Sequence, residues 1–505
     1  MDLNRLKLTL SCLIISGYVI TGCTKEEGNS DNSGDKSKIT EETRYANMFA
    51  KDILEIYYYW NNEISQDLNK LDPEKNSDPI TTVEEIRYHD GTSQIDKWTM
   101  LTNNMDEFTS SVQGVSTTYG YTPIVYYITA DSNDLIAVVA YVSKDSPAEK
   151  AGLKRGDIIY QIDGKTLTVD NYMDLYYSSN ITLSFAKLNG LEVIPTDKKV
   201  SMTAIEMYEN PILCDTVYNF NGKKVGYLAY SSFDLTSIPE LINICKEFKN
   251  EGIKELVLDL RYNGGGYVIT ENVLASMFAP QTNVTNKDIF EKEDYNDFFT
   301  EYYKQEGIST ETRFETEYNY NYNDINQHVS TKDANIGLEK IYGIITGNSA
   351  SASEALLSGL MPYMDIELIG EQSHGKYCTG WMLAAEDAYK TVPLAIKDWG
   401  IYVMVSIYKN ANDETPCMPN GLTPDLNAED YPLETYQLGD ENEAMLKVAL
   451  QRAGKVYPES RSSVTYSPFI DSKVIETPKK ANFGRRIIIP SQSRMPGIGL
   501  KTTQE

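Results

Sequence analysis

Histidine is nearly missing from this chain: His89, His328 and His374 are the only three in 505 residues, and they lie far apart. Scattered imidazoles of that number do not make a His-rich metal site. The six cysteines include no C-x-x-C pair and no metal-type spacing, which removes zinc-ribbon and dithiol redox classes. Positive charge is short as well. Lys and Arg number 46 against 73 Asp and Glu, a net charge of −27. Such a surface repels a phosphate backbone, so a nucleic-acid partner is not expected. The apolar stretch 8–20 covers 13 residues, short of the ~20 that span a bilayer as a helix.

That stretch follows Arg5 and Lys7 and ends in Ile20-Thr21-Gly22-Cys23. A basic start, a short apolar core and small residues before a cleavage point describe an export signal, 1–22. Cys after Thr-Gly resembles the lipobox of bacterial lipoproteins, in which that Cys becomes the lipidated first residue. The resemblance implies a lipid anchor on Cys23 and a place in the cell envelope, as an outer membrane lipoprotein facing the periplasm or the cell surface. Residues 23–41 are acidic, polar and rich in Gly and Ser, the composition of a flexible tether.

The rest is ordinary in composition, 41% hydrophobic and 24% charged, and too long for one core. Apolar residues recur at helical spacing from Tyr45 to Tyr57, so 42–112 is read as a helical region packed against later domains. From 113 to 207 the pattern changes to strands. Leu135–Val142 is a buried-strand run. Ser146 can cap a helix opened by Pro147, Gly152 can end it, and Asp163-Gly164 makes a tight turn. This run resembles a PDZ domain, which holds a peptide as an added strand; the loop at Tyr119-Gly120-Tyr121 is the candidate for the amides that hold its carboxylate. A purely structural PDZ domain is the alternative. An α/β pattern occupies 208–455, with strands at 224–230, 256–260 and 341–345 and a helix at 238–248. A Tyr- and Asn-rich insert, 281–335, is expected as an excursion over the site. The polar tail, 456–505, receives no function. Cys245 reads as a packing residue, and whether Cys378 and Cys417 pair is left open.

The chemistry concentrates in two segments. Strand 341–345 runs into Thr346-Gly347-Asn348-Ser349-Ala350-Ser351-Ala352-Ser353-Glu354, which opens a helix. A hydroxyl there sits beside free helix N-terminal amides, although serines at such a place also serve as caps. Strand 366–370 continues as Glu371-Gln372-Ser373-His374-Gly375-Lys376. Together with Asp259-Leu260-Arg261-Tyr262-Asn263-Gly264-Gly265-Gly266 and Asn420-Gly421-Leu422-Thr423-Pro424-Asp425, these segments resemble the S41 C-terminal processing peptidases over roughly 45–430.

The resemblance implies a multidomain α+β fold: an N-terminal helical region, a barrel-like PDZ domain and an α/β protease core. It also implies Ser351 as nucleophile, Lys376 as general base, the Gly265 and Ala352 amides as oxyanion hole, polypeptide substrates and no cofactor. A lysine near its usual pKa of ~10.4 cannot accept a proton at neutral pH, so Lys376 is expected to be buried and its pKa lowered. One position departs from the family pattern: Gly380 stands where a Gln often orients the lysine. Gln372 or Thr379 is the expected substitute, with His374 a neighbour rather than the base. Two other readings remain: a lipid-anchored peptide-binding protein whose site has decayed, and a glycan-binding surface lipoprotein suggested by the insert.

Overall fold

The computed structural model describes residues 39–457 except 130, 131, 191 and 324, together with 475, 484–489 and 495. The leader, Cys23 and nearly all of the tether lie outside these residues.

Helix α1 (Glu41–Tyr57) starts where Thr40 accepts the Thr43 amide, with Glu41 and Glu42 favouring its positive end. The helix therefore begins one residue inside the segment read as tether. The helix buries Phe49, Ala50, Ile53, Leu54 and Tyr57, and Tyr57 packs on Trp381 at 5.6 Å. With α2 (Pro79–Ile86) and α3 (Met105–Val112), it shares one apolar core with the later α/β region.

The PDZ region is a sheet in the order β1 (Tyr121–Tyr127), β2 (Leu135–Val142), β3 (Ile158–Ile162), β4 (Asn180–Asn189), β5 (Glu192–Thr203). Strand β2 is buried throughout because its two faces enter different cores. Leu135, Ala137 and Val139 enter one, and Ile136 and Val138 the other. Strand β1 pairs with β2 along one edge. At its other edge the Val125 carbonyl accepts the Ile475 amide at 2.9 Å.

Two further sheets build the α/β region. The first runs β6 (Ile212–Phe220), β7 (Lys223–Tyr230), β8 (Glu255–Asp259), β12 (Lys340–Ile345), β13 (Asp365–Gly370), β16 (Leu426–Asn427), its strands parallel from β7 onward. Leu256 and Leu258 face one core and Val257 the other, the double burial that parallel strands need. Helix α4 (Ile238–Asn250) covers one face through Leu241, Cys245 and Phe248, and α7 (Ala444–Arg452) covers the other through Met445, Leu446, Ala449 and Leu450.

The second sheet runs β9 (Gly265–Tyr267), β17 (Arg485–Ile488), β14 (Cys378–Ala384), β15 (Gly400–Asn410), β10 (Ile289–Tyr295), β11 (Glu311–Arg313). Helices α5 (Val268–Phe278) and α6 (Ala352–Leu360) pack against it.

Two expectations change here. The Tyr/Asn-rich segment is more than an excursion, because it supplies β10, whose buried Glu291 and Glu293 alternate with solvent-side residues. The tail, given no function above, supplies β17, which lies parallel to both β9 and β14. A four-residue strand with Arg at two positions carries no hydrophobic alternation that a sequence scan detects.

Candidate active site

The segment after β12 is tied to the end of β8 by side chains. Thr346 Oγ1 donates to the Arg261 carbonyl at 2.6 Å, and Ser349 Oγ to the Leu260 carbonyl at 2.7 Å. Ser353 Oγ donates to the Asn263 carbonyl at 3.0 Å. Two of the three serines in Ser349-Ala350-Ser351-Ala352-Ser353 are therefore structural pegs. Ser351 is different: its buried Oγ has no hydrogen-bond partner among the described residues. Its backbone sits at φ 64°, ψ −113° at the start of α6, a conformation costly for a non-glycine residue and held only by a surround that over-determines it.

Glu354 provides part of that surround. Its Oε2 accepts both the Ser351 amide, at 2.7 Å, and the Lys376 amide, at 2.9 Å. Its Oε1 accepts the Gly375 amide and the Ser373 hydroxyl. One buried carboxylate thus fixes the backbones of Ser351 and Lys376 to each other. Burial pushes its pKa up to about 7, against the pull of these four donors. The late motif braces the same loop, since Leu422 donates its amide to Ser373 Oγ and Asp425 accepts the Leu368 amide of β13.

Lys376 is fully buried, and burial lowers its amine to about 7. The rings of Trp98 and Tyr402 each lie 5.3 Å from Nζ. Trp98 is held there by Asp96, whose carboxylate accepts the Trp98 and Thr99 amides and the Tyr58 hydroxyl. Nζ donates to Tyr402 Oη at 3.0 Å and makes no hydrogen bond to Ser351. Tyr402 also explains Gly380. A Cβ on Gly380 would lie 2.4 Å from the Tyr402 ring, so the tyrosine from β15 fills the space a side chain at 380 needs and meets the lysine itself. The expected substitutes do otherwise: Gln372 is exposed, and Thr379 Oγ1 bonds Glu293 and Arg486. His374 places its ring edge-on to Trp98 at 6.3 Å.

The two amides expected to hold an oxyanion are also present. Ala352 begins α6 beside Ser351. Gly265, at φ 110°, packs so closely that a Cβ would lie 2.9 Å from Ser351 Cβ and 2.4 Å from the Arg485 carbonyl oxygen. Its N–H points to Asn263 Oδ1 at 2.9 Å.

Residues 224–428 match the family model for peptidase family S41, and residues 138–183 match the PDZ domain model. Over 224–428 the chain is similar to the S41 peptidases. It is 25% identical over 260 residues to the carboxy-terminal processing protease CtpA of Bacillus subtilis, covering 51% of this chain and 47% of that one. Over 134 residues it is 31% identical to CtpB of the same organism, 25% of this chain and 26% of that one. The chain spans about half the length or less of these curated relatives. A crystal structure of a Bacteroides fragilis protein assigned to the S41 proteases shares the fold at a TM-score of 0.60 and 20% identity, covering 81% of this chain and 98% of that one.

The α/β region holds features that local motifs do not reveal. Glu354 carried a sequence signal, an acid three residues past the serine at a helix start. Trp98 and Tyr402 carried none, because they reach the site only through long-range packing. The α/β region also encloses Arg486, whose guanidinium bonds Glu271, Glu291 and Glu293. Cys378 and Cys417 are separate buried thiols, contacting Met404 Sδ and the Tyr408 hydroxyl respectively. In the PDZ region the Gly120 amide donates to Thr118 Oγ1 at 3.0 Å, so that loop amide is engaged. Among the described residues no group of His, Cys, Asp or Glu is arranged to hold a metal ion.

Proposed function

We propose that this protein is a serine endopeptidase in which Ser351 is the nucleophile and Lys376 the general base. One observation carries the reading. Of three clustered serines, only Ser351 keeps an unpartnered hydroxyl, and its backbone shares a carboxylate oxygen with that of a buried lysine whose pKa is near 7. In the reaction, Nζ leaves Tyr402 and takes the Ser351 proton as Oγ attacks the peptide carbonyl. The developing oxyanion is met by the Ala352 amide and, once released from Asn263, by that of Gly265; one such donor contributes about 3 kcal/mol. The leaving amine takes the proton from Nζ, and water then hydrolyses the acyl-enzyme.

The PDZ region is proposed to recruit extended polypeptide at the open edge of β1, a reading supported by the Ile475 amide already bonded there. Cys23 is proposed as the lipid-anchored residue, which would put the enzyme in the cell envelope with exported proteins as substrates. The test is hydrolysis of an unfolded protein by the chain. Wild type should cleave it, and Ser351→Ala and Lys376→Ala should each lose at least about 10³-fold in kcat/KM. Equal cleavage by all three ends the assignment, and no cleavage by any favours peptide capture without catalysis.

A further inference from the structure

Strands β9 and β14 stand one strand apart, and the slot between them is filled by β17, from the far end of the chain. The Gly484 amide donates to the Gly264 carbonyl at 2.6 Å, next to the glycine motif. A Cβ on Gly265 would lie 2.4 Å from the Arg485 carbonyl oxygen and 2.9 Å from Ser351 Cβ, so β17 and the serine both crowd the position that glycine leaves empty. Tyr402 Oη donates to the Arg486 carbonyl at 3.1 Å and accepts the Arg486 amide at 3.2 Å, while accepting from Lys376 Nζ. A segment of backbone therefore runs through the candidate active site as an added strand, and the tyrosine that meets the lysine also meets that strand.

The side-chain pocket is equally specific. Arg486 is buried, and its guanidinium bonds Glu271 of α5 and Glu291 and Glu293 of β10, with the Tyr408 ring 4.7 Å from its Cζ. Three buried carboxyls surround the one cation, and burial pushes Glu291 well above the usual carboxyl range and raises Glu271 as well. A buried ion pair is a poor way to stabilise a fold, because desolvation offsets the attraction, and a surplus of acids is poorer still. Glu291 Oε1 lacks a hydrogen-bond partner even with the arginine in place. All three acids belong to the α/β framework, while the cation arrives on a strand nearly two hundred residues beyond β10 in sequence. The same tail meets the PDZ region: Ile475 bonds the free edge of β1 and packs on its core.

We propose that the slot between β9 and β14 is a strand-binding channel for basic peptides, that Glu271, Glu291 and Glu293 form its arginine-selecting subsite, and that residues 484–488 are a tethered occupant which must leave before a substrate enters. The proposal rests on the peptidase reading only in calling the ligand a substrate. The tail holds the channel at high effective concentration, as any intramolecular ligand does.

Two variants of the full chain displace the tail differently. Gly484→Pro forbids the φ of 64° and removes the amide that bonds Gly264. Arg486→Gln empties the acidic pocket. Fluorescence anisotropy then reads the binding of labelled Gly-Arg-Arg-Ile-Ile-Ile, the sequence of 484–489, against the same peptide with Gln at its third position. In either variant the arginine peptide should bind at least about tenfold more tightly than the glutamine peptide, the loss expected when one partner of a buried charge pair is removed. Wild type should bind both at least about tenfold more weakly than the variants do.

Equal affinities for the two peptides overturn the subsite. If both variants lose the folded state, β17 is a structural strand and the tethered-ligand proposal is overturned. Fluorophosphonate labelling of Ser351 in the same variants separates the two readings. Arginine-dependent binding without labelling contradicts the peptidase and keeps the channel, whereas labelling without arginine dependence does the reverse.

Discussion

A primary amine fully enclosed between Trp98 and Tyr402 can remain only if it gives up much of its affinity for protons, and Lys376 does so, to about 7. The sign of the consequence for stability follows. The folded pKa lies below the unfolded value, so between pH 7 and about 10 the unfolded chain binds the extra proton and stability rises with pH. Lys376→Met should therefore be more stable than wild type at pH 7, with the difference shrinking as pH climbs towards 10. Urea titrations of both proteins at three pH values check it. Ser351 stores cost of another kind, in a backbone at φ 64° with an unpaired hydroxyl. The motifs made both residues legible, since a serine at a strand-to-helix turn and a lysine after glycine each carry a local pattern. The geometry between them was not legible. Residue 402 and residue 98 act through packing at long sequence separation, and no local period encodes that.

Elements position these side chains by close approach. The faces of β8 and β12, and the order of strands in the parallel sheet, follow from apolar runs flanked by helices, and there the sequence pattern and the structure agree. The second sheet follows no such rule. Its strands come from near 266, 292, 312, 381, 405 and 486, and two of them, β10 and β17, carry charges that face inward. Buried charge defeats hydrophobic patterning, which is why the sequence shows neither strand. Between β14 and β15 the fit is tight enough to test. A methyl group on Gly380 meets the Tyr402 ring at 2.4 Å, so Gly380→Ala should cost about 1–3 kcal/mol, as overpacking does. Adding Tyr402→Ala should recover most of it, read by the midpoint of chemical denaturation.

Across the whole molecule, the PDZ and α/β regions are joined by charge as well as by packing, with Tyr141 against Tyr262 at 5.1 Å and Leu433 against the Ile136 and Val138 face of β2. Arg155, in the PDZ loop after the short helix, bonds Asp430, Glu443 and the Tyr262 hydroxyl. Arg261 of the glycine motif bonds the same Asp430 and Glu443. The orientation of the PDZ region is therefore coupled to the loop that carries Gly265. The two arginines hold the Asp430 carboxyl down to about 2 despite its burial. Arg155→Ala should cost roughly 3–5 kcal/mol, since it strands buried carboxylates, and calorimetry should show the PDZ transition separating from that of the core. The tail adds a second link, touching β1 at Ile475 and the slot beside Ser351 at Gly484. The central claim, that Ser351 and Lys376 act as one nucleophilic pair, is tested most directly by the rate of fluorophosphonate labelling at Ser351, read by intact mass from pH 6 to 9. The account predicts a rate that rises through pH 7 and levels off above it in wild type, and that disappears in Ser351→Ala and falls at all pH values in Lys376→Ala. Labelling that proceeds equally well without the lysine would contradict it.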